Sequence, residues 1–268
     1  MSVETPVLER AAAAIAGGGV VAFTGAGISA ESGIPTFRDS GGLWDRFDPR
    51  EFGSWQGVME LAMTKPDALA DFLVELRRAF GSARPAPGHA GLATLEEHGF
   101  LDAVITQNVD GLHQDAGSRR VVELHGSFRQ QVCLVCGHRE RVTRREFLDG
   151  LDRAITGLRS AFVSSLASLL PRCSRCEGPA RSDFVAFGEE VRDFGEAEAL
   201  ARECRAMLVV GTSGEVFPAA DLPVIASKEG AVVVEVTGGP SEVRSDIRLP
   251  GRAGEVVPAL VDRVLRAS

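Results

Sequence analysis

Short apolar runs alternate with longer amphipathic segments along most of the chain. The short runs are rich in valine and isoleucine and lack polar alternation, which is typical of parallel strands buried on both faces. They lie at 20–24, 103–106, 207–211 and 231–237. Helical spacing of apolar residues predicts helices at 7–16, 67–80, 89–97, 194–203, 223–228 and 258–267. This alternation predicts an α/β protein with a parallel, Rossmann-like sheet.

Two segments break the alternation and predict a smaller second lobe. One follows a glycine-rich turn and contains a helix with no clear strand after it, and the other contains four paired cysteines. We therefore predict a discontinuous Rossmann-like domain at 1–39, 84–127 and 184–268. The smaller lobe would combine a helical module at 40–83 with a cysteine-containing module at 128–183.

Composition and charge exclude several classes of protein. The 268 residues are 44% hydrophobic and 25% charged, which argues against a mostly disordered chain. A net charge of −8 argues against a general nucleic-acid binder. The longest apolar runs are far shorter than the roughly 20 residues needed to span a bilayer, and the amino terminus lacks the pattern of a secretory signal. We expect a cytoplasmic protein with neither nucleic acid nor a membrane as partner.

Four of the five cysteines form two close pairs, Cys133 with Cys136 and Cys173 with Cys176. In a reducing cytosol such pairs favour metal binding over disulfides. Four thiolates in two Cys-x2-Cys knuckles give one Zn²⁺ a closed tetrahedral site, which is structural rather than catalytic. We therefore expect 128–183 to be a zinc-binding module, with four unrelated buried cysteines as the alternative. Cys204 lies in a helical pattern and is expected in the core.

A glycine-rich turn follows the first predicted strand. Gly25, Gly27 and Ala30 fit the relaxed dinucleotide pattern, in which glycines let the backbone approach a pyrophosphate at the start of a helix. Glycine after a strand is also commonly just a turn, and the acid usually found about 20 residues later at the end of a second strand is missing. The loop at 29–39 carries a phenylalanine and an arginine, and a mobile loop that closes over a cofactor excludes water. A surface loop with a salt-bridged Arg38 is the alternative.

The run at 25–39, GAGISAESGIPTFRD, resembles the signature of the sirtuins of bacterial type, which are NAD-dependent protein-lysine deacylases. Further family motifs follow in order: TQNVDGLH at 106–113, ELHG at 123–126, the cysteine pairs, FGE at 187–189, GTS at 211–213, PAA at 218–220 and AGE at 253–255. The resemblance covers about residues 20–260. It implies that an acyl-lysine protein or peptide reacts with NAD, giving nicotinamide and O-acyl-ADP-ribose.

The resemblance also assigns roles to single residues. His125 is the expected general base: the acyl oxygen attacks C1′ of the ribose as nicotinamide leaves, and His125 then deprotonates the ribose hydroxyl that attacks the alkylimidate. Imidazole suits this role because it titrates near neutrality, although a lone histidine can also be structural, as we expect of His113. Asn108 is the second expected catalytic residue. The expected NAD contacts are Gly25, Ala26, Gly27, Ser29, Glu31, Pro35, Thr36, Phe37, Arg38, Gln107, Asn108, Asp110, Gly211, Thr212, Ser213, Thr237 and Ala253.

The expected acyl-lysine contacts are Val185, Phe187 and Gly188, with Val185 and Phe187 lining the acyl channel. Two departures from the family pattern lie near the ligands. Ala186 stands where the family usually has tryptophan, which would widen the channel or alter the peptide groove. Thr237 stands where an asparagine usually binds the adenosine ribose, and a hydroxyl cannot reproduce both functions of an amide. We expect NAD binding to be retained, with this contact weakened.

One branch of the family removes succinyl or malonyl groups with a tyrosine and an arginine three residues later. This chain has no tyrosine. An ungapped alignment back from 83–89 places Leu73 and Leu76 at those positions, and burying a carboxylate against two leucines is costly. Arg77 and Arg78 are one or two positions away, on a different helical face. We therefore expect neutral acyl groups as substrates, either acetyl or longer aliphatic chains.

Other functions could use the same cofactor. An NAD-dependent protein ADP-ribosyltransferase of the same fold is the main alternative, and transfer of labelled ADP-ribose onto protein would identify it. A nicotinamide dehydrogenase or a non-enzymatic NAD sensor fits less well, since neither requires the ELHG block. Two questions stay open: the function of 144–170, an apolar helical pattern that is long for the family, and the oligomeric state, with a monomer possible.

Overall fold

The computed structural model describes residues 5–36, 42–160 and 166–267. Phe37 and Arg38, two of the expected NAD contacts, lie outside these ranges. The helices are α1 Thr5–Ala16, α2 Leu43–Arg46, α3 Pro49–Phe52, α4 Trp55–Thr64, α5 Pro66–Ser82, α6 Pro87–Glu97, α7 Leu112–Asp115, α8 Arg144–Leu158, α9 Phe194–Glu203, α10 Leu222–Lys228 and α11 Ala253–Ala267. The strands are β1 Val20–Thr24, β2 Leu101–Thr106, β3 Val121–Glu123, β4 Gly126–Cys133, β5 Arg139–Arg141, β6 Ala180–Phe184, β7 Ala206–Val210, β8 Val232–Thr237 and β9 Ile247–Pro250.

Six parallel strands form the larger sheet in the order β3-β2-β1-β7-β8-β9. Ala22 of β1 faces a core formed with α1, α6 and α11, whereas its neighbour Phe23 faces α9 and α10. Burial of both faces explains why these strands are continuous apolar runs. The strand order reverses between β1 and β7, so the loops that leave these two strands border a crevice, the place where ligands bind in open α/β sheets. The Rossmann-like fold class is therefore confirmed.

The segment predicted as a zinc-binding module forms a three-stranded antiparallel sheet in the order β5-β4-β6. Helix α8 follows β5 and packs on α5, where Arg77 donates two hydrogen bonds to Asp152 at 2.8 and 3.1 Å. This sheet and the helices between β1 and α6 supply the smaller, partly helical part of the molecule. Two of the four predicted domain boundaries, at 127/128 and 183/184, fall within two residues of the inner ends of β4 and β6. The boundary at 83/84 follows the end of α5, and the boundary at 39/40 lies outside the described residues. We retain all of them as a prediction.

Most predicted elements lie within a few residues of the observed ones, and the largest error concerns α11. This helix begins at Ala253 and not at Pro258, which lies inside it. Proline is favoured at the first helical position, so the pattern misplaced the start. The short strands β3 and β9 and the helices α2 and α3 were not predicted, because elements of three or four residues show too few periods to be recognised. The ten-residue helix α4 was also not predicted. Within the described ranges, no helix is long and apolar enough to cross a membrane.

Gly126 at the start of β4 supports a testable prediction about stability. Its φ is +75°, and a Cβ there would lie 1.7 Å from the backbone oxygen of Asp183. We expect Gly126→Ala to lower the free energy of unfolding by more than about 3 kcal/mol, since a backbone clash adds to the left-handed strain. Gly99→Ala is the matched control: its φ is +78°, but no heavy atom lies within 4 Å. It should cost only about 1–2 kcal/mol. Equal losses in chemical denaturation would contradict the clash.

Candidate active site

The loops that leave β1 and β7 meet backbone to backbone at the crevice. The Gly27 N–H donates to the oxygen of Gly211 at 2.8 Å, and a Cβ on Gly27 would lie 2.7 Å from the Cα of Gly211. A Cβ on Gly25 would lie 2.9 Å from the same oxygen. The glycines of this turn are therefore required for the contact between two loops, in addition to any approach to a pyrophosphate.

A buried polar network fixes Asn108 just beyond the end of β2. Its Nδ2 donates to the oxygen of Gly25 and to Oγ of Ser29, both at 3.1 Å. The Ser29 hydroxyl in turn donates to Asp110 at 2.7 Å, and the other carboxylate oxygen of Asp110 accepts from the N–H of Leu112. Because both amide protons of Asn108 are used within the protein, its Oδ1 is the atom available to a ligand.

His89 lies beneath this network, and no motif or periodicity in the sequence points to it. Its Nε2 is 3.3 Å from Oγ of Ser29, and its Nδ1 accepts from the N–H of Ala86 at 3.1 Å. Since Ser29 gives its one proton to Asp110, the proton of His89 must be on Nε2. Burial lowers the pKa of His89, which keeps the ring neutral. The ring thus orients Ser29 from below.

His113 is fully buried beside His89, with ring centroids 4.9 Å apart. Its Nε2 is 2.9 Å from Oγ1 of Thr24, which also donates to Thr106 at 2.8 Å. Burial lowers the pKa of His113 to about 3, with a further contribution from His89. These contacts place His113 between the ends of β1 and β2, one layer behind the residues that line the cleft.

His125, the expected general base, lies in the turn immediately before β4. Its Nδ1 is 2.9 Å from the backbone oxygen of Gln107, so Nδ1 carries the proton and Nε2 has a free lone pair. Burial lowers the pKa of His125, and the hydrogen bond to Gln107 partly opposes this shift. The Gln107 side chain donates to Thr212 at 2.9 Å and thereby connects the loops after β2 and β7. The geometry presents a neutral imidazole to the cleft.

One cavity of about 970 Å³ is lined by His125, by the three expected acyl-lysine contacts and by all described members of the expected NAD set. Glu31 and Thr237, two further members of the NAD set, also have partners within the protein. Glu31 accepts a hydrogen bond from the N–H of Gly254 at 2.6 Å, and Thr237 donates to the oxygen of Gly239 at 3.0 Å. The close-packed glycines at the switch point of the sheet and the amide oxygen of Asn108 border one space, which fits a dinucleotide.

The segment after β6 forms the rim on the acyl-lysine side. Val185 donates its N–H to the backbone oxygen of His125 at 2.9 Å, which holds this segment beside the base. Phe187 donates its N–H to the oxygen of Gly53 at 2.8 Å, and its ring is half exposed. A Cβ on Gly53 would lie 2.3 Å from that ring, so Gly53 allows the helical module to approach the rim.

Leu73 and Leu76 line the same cavity, as the alignment suggested. The two neighbouring arginines have other partners. Arg77 binds Asp152, and Arg78 donates to Glu75 at 2.8 Å. An acyl group that enters between the leucines therefore meets hydrocarbon, and neither arginine is free to pair with a carboxylate.

The four paired cysteines come together at the outer ends of β4 and β6. All four sulfur atoms lie within 4.8 Å of one another, with Cys133 to Cys176 at 3.5 Å and Cys136 to Cys173 at 3.8 Å. Tetrahedral Zn–S bonds of about 2.3 Å place sulfurs about 3.8 Å apart, so the cluster fits one zinc ion. Backbone N–H groups of Cys136 and Val135 donate to the sulfur of Cys133 and lower its pKa to about 6, which favours the thiolate that zinc binds.

Residues 25–218 match the model of the Sir2 family. A protein of Desulfosudis oleivorans named NAD-dependent protein deacylase is 40% identical over 260 residues, which cover 96% of this chain and 95% of that protein. NAD-dependent protein deacylase 2 of Pyrobaculum aerophilum is 44% identical over 251 residues, covering 92% of this chain and 91% of the relative.

Solved structures agree with this similarity. A Sir2 homologue in complex with NAD superposes with a TM-score of 0.78 at 34% identity, covering 97% of this chain and 94% of the other. Sir2Af2 bound to a myristoylated histone peptide superposes with a TM-score of 0.73 at 35% identity, covering 98% of both chains. Both similarities extend over nearly the whole chain, so they concern the entire fold.

Substitution of one zinc ligand tests the cysteine cluster. We expect Cys176→Ser to reduce bound zinc from one ion per chain to none and to lower the melting temperature by on the order of 10 °C, because metal binding contributes to folding. Cys204→Ala is the control, since Cys204 is buried near the end of α9 away from the cluster. Elemental analysis and thermal unfolding measure both effects. Zinc retained by Cys176→Ser, or lost from the control, would contradict the assignment.

Proposed function

The chain belongs to the Sir2 family, and we propose that its cleft carries out NAD-dependent removal of acyl groups from protein lysines. NAD supplies an ADP-ribosyl group that is released from nicotinamide and accepts the acyl group, and one water molecule is consumed when the C–N bond to lysine breaks, so the products are free lysine, nicotinamide and O-acyl-ADP-ribose. One observation carries the proposal: a single cavity collects the described NAD residues, the acyl-lysine rim and His125. The zinc ion stabilises the module that holds this rim and takes no part in the chemistry.

His125 is the general base in this proposal. Its proton on Nδ1 is held by the backbone oxygen of Gln107, so Nε2 is ready to accept a proton from a hydroxyl in the cleft. The hydrogen bond also fixes the plane of the ring. Burial favours the neutral form that a base requires.

Asn108 binds and orients in this proposal, because its amide group is held in one orientation. Gly25 and Ser29 take the two amide protons, and Oδ1 faces the cavity as an acceptor for a hydroxyl or an amide N–H. Asp110 supports this arrangement through Ser29. Exchange of the amide for a carboxylate would remove the donors to Gly25 and Ser29 and place a charge in a buried site.

Acyl selectivity follows from the walls of the cavity. Leu73 and Leu76 line it, and the adjacent arginines are paired with acidic residues, so we propose that neutral acyl groups are preferred. We also propose a cytoplasmic location. It is supported by the two cysteine pairs, whose arrangement suits one metal ion, a use of cysteine that a reducing compartment favours over disulfides.

The first test is an assay of acyl-lysine peptides by mass spectrometry, with and without NAD. We expect His125→Ala to lower kcat/KM by at least about 100-fold, as is typical of loss of a general base. His98→Ala is the matched control, since His98 is exposed and its ring binds only the backbone of its own helix end. Activity without NAD, or an active His125→Ala, would contradict the mechanism. Labelled NAD that marks protein instead of leaving as O-acyl-ADP-ribose would identify a transferase.

The pH dependence of kcat/KM tests the state of His125. A base acts when neutral, and its pKa in the protein is below the ordinary 6.5. The value of kcat/KM should therefore reach a plateau at alkaline pH and fall on acidification with a midpoint below pH 6.5, in proportion to protonation of one group. A midpoint of the acidic limb above pH 6.5 would contradict the effect of burial.

Matched peptides that differ only in the acyl group test selectivity. We expect kcat/KM for succinyl-lysine to be at least about tenfold lower than for acetyl-lysine, because the carboxylate must be desolvated against leucine. Leu76→Arg should narrow this difference by offering a partner for the charge, whereas Leu76→Met should leave it unchanged. Faster removal of succinyl than of acetyl by the unaltered enzyme would overturn the assignment.

A further inference from the structure

The cavity does not end at the reacting groups. From the cleft it continues between α5 and α8, and helix α8 belongs to the long interval between the two cysteine pairs. Four residues of α8 at helical spacing line it: Phe147, Leu151, Ala154 and Leu158. These positions form one face of the helix, so α8 presents a continuous apolar wall.

The near end of this wall joins the acyl-lysine rim. The ring of Phe147 lies 5.9 Å from that of Phe184, the residue immediately before Val185. Phe80 of α5 contacts both rings at 5.4 and 6.3 Å, and Val109, next to Asn108, packs against the same cluster. An acyl chain that enters beside Val185 therefore passes directly onto these rings.

The far end lies in the helical module. Leu158 of α8 is buried with Phe72 and Leu69 of α5, and Leu169 packs against this group. Between the two clusters, the partly buried side chains of Leu76 and Leu151 line the open space. Apolar side chains around a space of this size favour an apolar occupant over water.

Ion pairs tie α8 to α5 on the outside of this space. Arg77 binds Asp152, and Arg159 donates to Asp71 at 2.7 Å. Three charged residues that border the cavity in this region, Glu146, Arg153 and Arg172, are exposed and mark its rim. Glu75 of α5 also lines it and is partly buried, and its carboxylate is paired with Arg46 and Arg78. The cations of α5 thus hold the wall in place and offer no charge to the interior.

We propose that α8 closes the far end of the acyl cavity and sets the length of the aliphatic acyl chain that the enzyme accepts. Leu151 and Leu158 contact the chain, and Ala154 provides the gap into which its end extends. The proposal rests on the proposed function, because the chain enters the cavity as part of an acyl-lysine substrate. The segment between the two cysteine pairs is not needed to bind zinc, and the proposal gives it a role in substrate selection.

The test compares acetyl, butyryl, octanoyl, decanoyl and myristoyl forms of one lysine peptide. Each methylene that enters the cavity should raise kcat/KM about fourfold until the cavity is full, since burial of a methylene is worth about 0.8 kcal/mol. We expect the unaltered enzyme to prefer octanoyl to acetyl by roughly 10- to 100-fold, which corresponds to the net burial of about two or three of the added methylenes once the cost of ordering the chain is subtracted. Equal kcat/KM for acetyl and for all longer chains would overturn the proposal.

Substitutions on α8 test whether this helix determines the preference for chain length. Ala154→Phe fills the gap and should abolish the preference for long chains, with activity on acetyl-lysine within about twofold of the unaltered enzyme. Leu151→Ala enlarges the space and should move the optimum to longer chains. Thr156→Phe is the matched control, since Thr156 is exposed on the same helix and does not line the cavity. A parallel loss of acetyl and long-chain activity in Ala154→Phe, or the same shift in the control, would overturn the role of α8.

Calorimetric titration with the same peptides separates this proposal from the proposed function. If no peptide is deacylated with NAD, the proposed function has failed. Affinity must still rise with chain length and fall in Ala154→Phe if α8 measures the chain. Deacylation without any dependence of affinity or kcat/KM on chain length would reject the inference and leave the proposed function intact.

Discussion

The antiparallel pairing of β4 with β6 is the constraint on which the active site depends. It begins where Gly126 faces Phe184, and it extends into the turns, since Val185 donates to the oxygen of His125 at 2.9 Å. Arg192 donates to the oxygen of Leu124 at 2.7 Å in the same way. The proposed general base and the proposed acyl-lysine rim are therefore fixed to each other by backbone hydrogen bonds. The zinc ion holds the outer ends of the same two strands, so metal binding and catalytic geometry share one ladder.

The side of the cleft proposed to bind the nucleotide is built differently. It consists mainly of backbone atoms and of polar side chains that are already hydrogen-bonded within the protein. Gly27 and Gly211 touch through backbone atoms, and this contact brings the loops after β1 and β7 together. Asn108 then spans the loops by donating to Gly25 and Ser29. The neutral ring of His89 beneath this layer accepts from Ala86 and lies at hydrogen-bond distance from Ser29 without adding charge. A buried network of this kind is rigid because each donor in it has one defined acceptor.

The fold class and most of the larger elements could be predicted because burial on both faces leaves a clear pattern, as in Val20–Thr24. Motifs identified His125, Asn108 and the cysteines by residue type and order. His89 could not be found in this way, because its role depends on a contact with Ser29 across 60 residues of chain. The position of the apolar face of α8 could not be predicted either. Helical spacing indicated an apolar face at Leu151, but not that this face lines the cavity. The role of His89 and the placement of α8 both depend on tertiary contacts, which cannot be read from a single sequence.

The aromatic composition has a spectroscopic consequence. The chain has two tryptophans and no tyrosine, and Trp44 and Trp55 both lie on the wall of the cleft. The guanidinium of Arg181 stacks over Trp55 at 4.3 Å, while Trp44 lies 6.1 Å from the ring of Phe187. Tryptophan fluorescence from this protein thus originates entirely on the wall of the cleft, and no tyrosine emission overlaps it. Selective excitation of tryptophan therefore reports on occupancy of the cleft.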